Sequence, residues 1–389
     1  MDRGRSFLSL STDPPVPIHP ALFPHLCAMR PDRTRVLFLY TEAAPYLIAC
    51  LRQLAIDHSV EVHLVRWPVN NEAPFTFTDD LIKITERDRN DDALASHVDR
   101  ISPHIIFTSG WVDKGYVKIC RRYRSQGFPV VLCSDTAWRG DLRQLLALPI
   151  ARSYVRSAFS HAWVTGEAQA KYARKLGLRS DRIRKGFYSA DTDRFLPIGE
   201  QNLQRDPAWP HRLLCVARYI PTKGHQYLCD AFAELCDENG AGDWELWIAG
   251  TGELFERVMN SRSGAHPRIR HLGFKQPHEM EIVLTQVGAF ILPSTYEPWG
   301  VVVHEHTCAG SPLLLSDAVG AAEKFLRPGE NGFSFKAGDR DHLKRTLRKL
   351  IRLSDVDLVA MGRKSHALAQ QWDPRKWAAT AMEFISDRP

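Results

Sequence analysis

Short, nearly all-apolar runs alternate along this chain with longer stretches whose apolar positions fall three and four apart. RVLFLYTEA (35–43) is the first such run, and PYLIACLRQLAID after it reads as a helix. SVEVHLVRW predicts a strand, LASHVDRISPHIIFTSG a helix, turn and strand, GYVKICRRYRSQG a basic amphipathic helix, and FPVVLCSDT a further strand. RQLLALPIARSYVRSAF, HAWVTG, EAQAKYARKLG and IRKGFYS continue the rhythm. Apolar strands without a polar face, alternating with helices, predict a parallel sheet covered on both sides.

PIGEQNLQRDPAWPHR (197–212) is polar and proline-containing, and reads as a linker. The rhythm then restarts: strand RLLCVARY, helix GHQYLCDAFAELCDENG, strand WELWIAG, helix GELFERVMN, strand IRHLGF, helix PHEMEIVLTQV, strand GAFILPS, strand SPLLLSD and a helical end. With 389 residues the chain exceeds what one core usually supports. The expectation is two α/β units of similar size, 33–198 and 199–371, with a ligand cleft between them.

Composition narrows the class. No apolar run approaches the roughly 20 residues needed to span a bilayer. The first 32 residues are expected to be a tail: they are proline-rich, lack the apolar core of a secretory signal, and include Met29 as an alternative start. Eight cysteines show no CxxC or zinc-type spacing, which points to a reducing cytoplasm. Between Lys114 and Lys185 sixteen Lys or Arg face four acids, a local balance of +12 in a chain of +6. That is either a solvated basic face or a surface for an anionic membrane or acceptor. No nucleic-acid motif accompanies the charge.

Candidate chemistry gathers in the second half. ARYIPTKGHQYL puts Arg218 and Lys223 around a turn between strand and helix, where two cations and helix N–H groups could cradle phosphate; alone, such a pair is usually solvated. WIAGTGEL carries Gly250 and Gly252, which either admit a ligand close to backbone or simply form a tight turn. In PSTYEPWGVVVHEHTCAG seven residues separate Glu297 from Glu305. If a helix starts near Gly300, Val301 and Glu305 share one face, and the two acids lie roughly 8 Å apart in axial rise. VVV favours strand by propensity, so periodicity alone leaves the element open. His304 and His306 would point about 200° apart on a helix, unsuited to one metal ion, and packing is the better reading.

The ordered set VAR–YIPTKG, IAGTGEL, IRHLGF, ILPSTYEPWGVVVHEHTCAGSPLLLSDAVGA and ENGFSF resembles the donor-binding domain of glycosyltransferase family 4, retaining sugar transferases of the GT-B fold. HAWVTGEAQAKYARKLGLRSDRIRKGFYSADTDRFLP resembles that family's exit from the first domain, so the similarity covers roughly 160–335 and the first 150 residues poorly. The resemblance implies two Rossmann-like domains facing a cleft, with the terminal amphipathic helix (372–389) returning to the first. It implies a UDP- or GDP-sugar donor and no metal. Arg218 and Lys223 would neutralise the diphosphate, Glu297 touch the donor sugar and Glu305 the ribose. Gly300 and Val301 would meet phosphate, and Gly273 and Phe274 the base.

Two departures stand out. The first loop, LYTEAAPY, lacks the family's glycines, and Asp135 and Trp138 stand where the family often has a histidine. Asp135 is read as a helix cap or as a sugar or acceptor contact. The expected activity is sugar transfer to a glycan, lipid-linked or lipopolysaccharide-type acceptor, in a cytoplasmic protein that meets the anionic membrane face through its basic first domain. A non-catalytic nucleotide-sugar-binding protein, or an epimerase or hydrolase of the same fold, are the alternatives.

Overall fold

The computed structural model describes residues 33–69, 75, 79–205 and 209–387. The proposed tail (1–32) and part of the proposed linker therefore lie outside the described residues. Seven strands form the first sheet: Arg35–Tyr40 (β1), Glu61–Arg66 (β2), Ile82–Glu86 (β3), Ile105–Ser109 (β4), Val130–Ser134 (β5), His161–Val164 (β6) and Ile183–Lys185 (β7). They run parallel in the order β3-β2-β1-β4-β5-β6-β7. Six more form the second: Arg212–Val216 (β8), Glu245–Ala249 (β9), Ile269–Gly273 (β10), Ala289–Leu292 (β11), Leu313–Ser316 (β12) and Gly332–Phe335 (β13). Their order is β10-β9-β8-β11-β12-β13, again all parallel.

Both orders reverse direction once, between β1 and β4 and between β8 and β11. At such a switch point the helices leave in opposite directions and open a crevice at the carboxyl ends of the strands. The strands are apolar throughout because both faces are covered: Val36 to Leu39 of β1 and Ala289 to Leu292 of β11 have no solvent contact.

The Thr192–Leu203 helix corrects the linker reading. The chain stays helical through Pro197 and buries Phe195, Ile198 and Asn202. Gly199 permits this, since a Cβ there would stand 2.1 Å from the Cys308 carbonyl oxygen. A residue that reads as a breaker is here a point of close helix packing. The Pro374–Ser386 helix lies against the Pro45–His58 helix. It buries Trp377 against Trp163 (4.6 Å between rings) and donates the Trp377 indole N–H to the Phe187 carbonyl at 2.7 Å. Among the described residues no helix is long and apolar enough to cross a membrane.

Candidate functional site

A cleft of about 430 Å³ lies where loops after β1, β5 and β7 face loops after β8 and β11. Arg218 follows β8 and Glu297 follows β11, so the two flank the switch point of the second sheet. Lys223 and Glu297 form an ion pair, and the Ser294 hydroxyl donates to the same carboxylate at 3.3 Å. Backbone bonds tie the two loops together, with the Thr295 N–H donating to the Thr222 carbonyl at 2.8 Å. Arg218 is exposed and lines the cleft.

The run VVVHEHTC is helical (Val301–Cys308) despite its propensity. Packing decides it: Val303 and Thr307 are fully buried on one face, which outweighs a β-branched cost of a few tenths of a kcal/mol per residue. Gly300 precedes the helix with φ +92°, a left-handed conformation that favours glycine, and no side chain caps the first turn. Gly300, Val301 and Val302 line the cleft, so the positive end of this helix opens into it. Glu305 lines the same wall one turn in. Burial pushes its carboxyl up to about 7, the Asp191 charge adds to the rise, and Arg194 opposes it.

Asp135 lines the opposite wall. It does not cap a helix; the following helix, Leu142–Ala158, is capped by Asp141, whose carboxylate accepts the Gln144 N–H. Burial raises the Asp135 carboxyl, the Tyr188 hydroxyl hydrogen-bonds it at 3.4 Å, and the Glu297 charge raises it further. Gln169 joins the walls by donating to the Asp135 and Pro298 carbonyls at 3.1 and 2.7 Å.

Gly250 and Gly252 lie away from the lining. Their φ values are +134° and +148°, and a Cβ at Gly250 would stand 2.1 Å from the Ala217 carbonyl oxygen. The backbone that approaches them is the chain's own, at the loop that carries Arg218. Gly273 (φ +68°) has open space at its Cβ position, and Phe274 contacts Phe75 beside Lys275 of the cleft. The histidines are structural. His304 Nδ1 accepts the Ala190 N–H at 3.0 Å, its Nε2 bonds the Ala369 carbonyl at 3.2 Å, and its ring stacks on Phe325. His306 stacks on Phe290 at 3.9 Å. Burial lowers both to about 3, so they are neutral in ordinary buffers.

Sequence reasoning missed Tyr46, Tyr188, Asp191, Arg194, Lys275 and Met280, which also line the cleft. The YSADTDRF stretch held the signal for three of them, a tyrosine, an acid and an arginine shortly after a strand.

Two Rossmann-like units with a cation-bearing, helix-headed cleft between them define a protein of the GT-B fold. Solved structures bear this out. The Anabaena protein Alr3699/HepE, in complex with UDP and glucose, matches with a TM-score of 0.70 at 17% identity over 91% of this chain and 100% of that one. Sucrose-phosphate synthase from Thermosynechococcus elongatus matches at 0.72, 15% identity, 91% and 98%. In sequence, residues 204–365 match the family described as glycosyl transferases group 1.

Among curated relatives, the lipopolysaccharide core biosynthesis glycosyltransferase LpsE of Rhizobium meliloti is 24% identical over 185 residues, 47% of this chain and 52% of that protein. D-inositol 3-phosphate glycosyltransferase of Corynebacterium efficiens is 27% identical over 219 residues, 53% and 50%. The chain thus spans about half the length of the curated relatives it matches.

Proposed function

We propose that this chain is a retaining glycosyltransferase that moves a sugar from a UDP- or GDP-sugar to a glycan, lipid-linked or lipopolysaccharide-type acceptor. One observation carries the reading: Arg218, Lys223, Glu297, Glu305 and the uncapped start of the Val301–Cys308 helix converge on one cleft, with Asp135 on its facing wall. Two cations and a helix N-terminus suit a diphosphate, and they offset the charge that develops on it as the sugar leaves. Glu297, held by Lys223 and Ser294, is placed for sugar hydroxyls, and Glu305 for a ribose. Gly273 and Phe274 stand at the end assigned to the base, and Asp135 to the acceptor or sugar. In this reading the chain's own cations and helix dipole do the work of a metal ion. The structure of HepE with UDP and glucose supports a donor of this kind.

The test is thermal unfolding in a panel of UDP-, GDP- and ADP-sugars, since a ligand that binds only the folded chain raises its melting temperature. Stabilisation by one uridine or guanosine donor, followed by sugar transfer when cell-envelope extract is added, is expected. No shift with any donor would overturn the reading.

A further inference from the structure

Eleven large apolar side chains are exposed among the described residues, and four of them, Leu142, Leu145, Leu146 and Ile150, stand on one helix. In Leu142–Ala158 the inward positions Leu148, Ala151, Val155 and Ala158 pack on the first core. Leu142, Leu146 and Ile150 recur every fourth residue on the side turned away from it, and are 78%, 80% and 77% exposed.

Charge surrounds this stripe. Four cations of the basic segment pair with carboxylates distant in sequence, Lys118 with Asp91, Arg122 with Asp99, Arg182 with Asp387 and Arg184 with Glu383. Among the described residues, no carboxylate pairs with Arg139, Arg143, Arg152, Arg156, Lys171 or Lys175. These sit on this helix, on the loop before it, or on the neighbouring Glu167–Lys175 helix. Lys175 lies over the half-exposed Trp138 ring at 4.6 Å.

We infer that the outer face of the Leu142–Ala158 helix docks on an anionic membrane surface, its leucines and isoleucine entering the headgroup boundary while the surrounding cations meet lipid phosphates. An apolar stripe bordered by Lys and Arg is the pattern of a helix lying in a membrane interface, and each cation near an anionic leaflet adds to the attraction. A second copy of the chain is a poorer occupant, because a two-fold contact would set this cationic face against itself. The loop that leads into the helix reaches the cleft. Asp135, in the cleft wall, precedes its first residue by a short loop in which Arg139 stacks on Tyr296, next to Glu297, at 3.5 Å. Docking here would hold the acceptor side of the cleft against the bilayer. This deepens the proposed function, and rests on it, only in making the acceptor membrane-borne.

The experiment is vesicle sedimentation of the full chain with phosphatidylcholine alone and with added phosphatidylglycerol, beside Leu146→Glu/Ile150→Glu and Arg143→Glu/Arg152→Glu. The expected result is salt-sensitive binding to the anionic vesicles only. The apolar pair of substitutions should lower partitioning by at least about tenfold, the charge pair by a similar factor, and both should leave melting temperature and UDP-sugar stabilisation unchanged. Equal sedimentation of all three proteins overturns the inference. So does a dimer in light scattering that the apolar pair makes monomeric. A donor-induced thermal shift that persists without vesicle binding would sink the docking face and leave the proposed transfer standing.

Discussion

Replacing Glu305 with glutamine asks whether the cleft keeps a carboxylate at an energetic cost for a ligand's sake. Burial raises this carboxyl from its ordinary 4.5 to about 7. The folded chain therefore holds the proton more tightly than the unfolded chain. Stability conferred by the protonated form is intact below about 4.5 and is lost as pH climbs to about 7. At about 1.4 kcal/mol per unit the shift corresponds to roughly 3 kcal/mol. Glu305 keeps some solvent contact along the cleft, and screening leaves about 1–2 kcal/mol. Glutamine has the shape of the protonated acid and never ionises. Urea unfolding of both proteins, followed by circular dichroism from about pH 5 to about pH 8.5, should show curves that coincide at the acid end and diverge upward. The variant should gain about 1–2 kcal/mol at the alkaline end, while UDP-sugar affinity falls by about tenfold as a charged acceptor of hydrogen bonds is lost. Parallel curves would refute the assignment of a strained, ligand-directed carboxylate.

Lys223→Ala removes the partner of Glu297 and a cation from the diphosphate site, and should lower the transfer rate by about 100-fold in initial-rate assays with little change in melting temperature. Gly250→Ala drives a methyl group into the Ala217 carbonyl at a positive φ, and should cost more than about 2 kcal/mol in denaturant unfolding. Trp377→Ala empties the space between the last helix and Trp163 and orphans the Phe187 carbonyl. The expected loss is about 3–5 kcal/mol, read by the same unfolding measurement.

The strands were legible because a strand covered on both faces has to be apolar at every position, and no other short element asks for that. The parallel direction of the strands followed from the alternation with helices. Where local signals failed, tertiary packing had reversed them. Pro197 and Gly199 announce a break, yet Gly199 lets one helix press against the Cys308 carbonyl. Val301 to Val303 favour a strand, yet Val303 completes a core that only a helix fills. The missed wall of the cleft has a different cause. Tyr46, at the start of the Pro45–His58 helix, and Tyr188, in the loop after β7, meet at 5.4 Å although over a hundred residues apart, and that meeting exists only once β1 and β7 share a sheet.

The spacing of Glu297 and Glu305 was readable, but the charge of the site was not. Asp135, Asp191, Glu297 and Glu305 all line the cleft, a count that would repel a diphosphate if each acid were fully ionised. The fold removes that obstacle residue by residue. Glu297 is matched by Lys223, which comes from 74 residues earlier. Burial raises the carboxyls of Asp135, Asp191 and Glu305, the last to about 7, so Glu305 gives up part of its charge at neutral pH. Arg218, Arg194, Lys275 and the helix start add positive potential to the same lining. An acidic lining thus becomes compatible with an anionic donor, because the desolvation that makes Glu305 costly as a carboxylate also favours its protonated form, while Lys223 offsets the charge of Glu297.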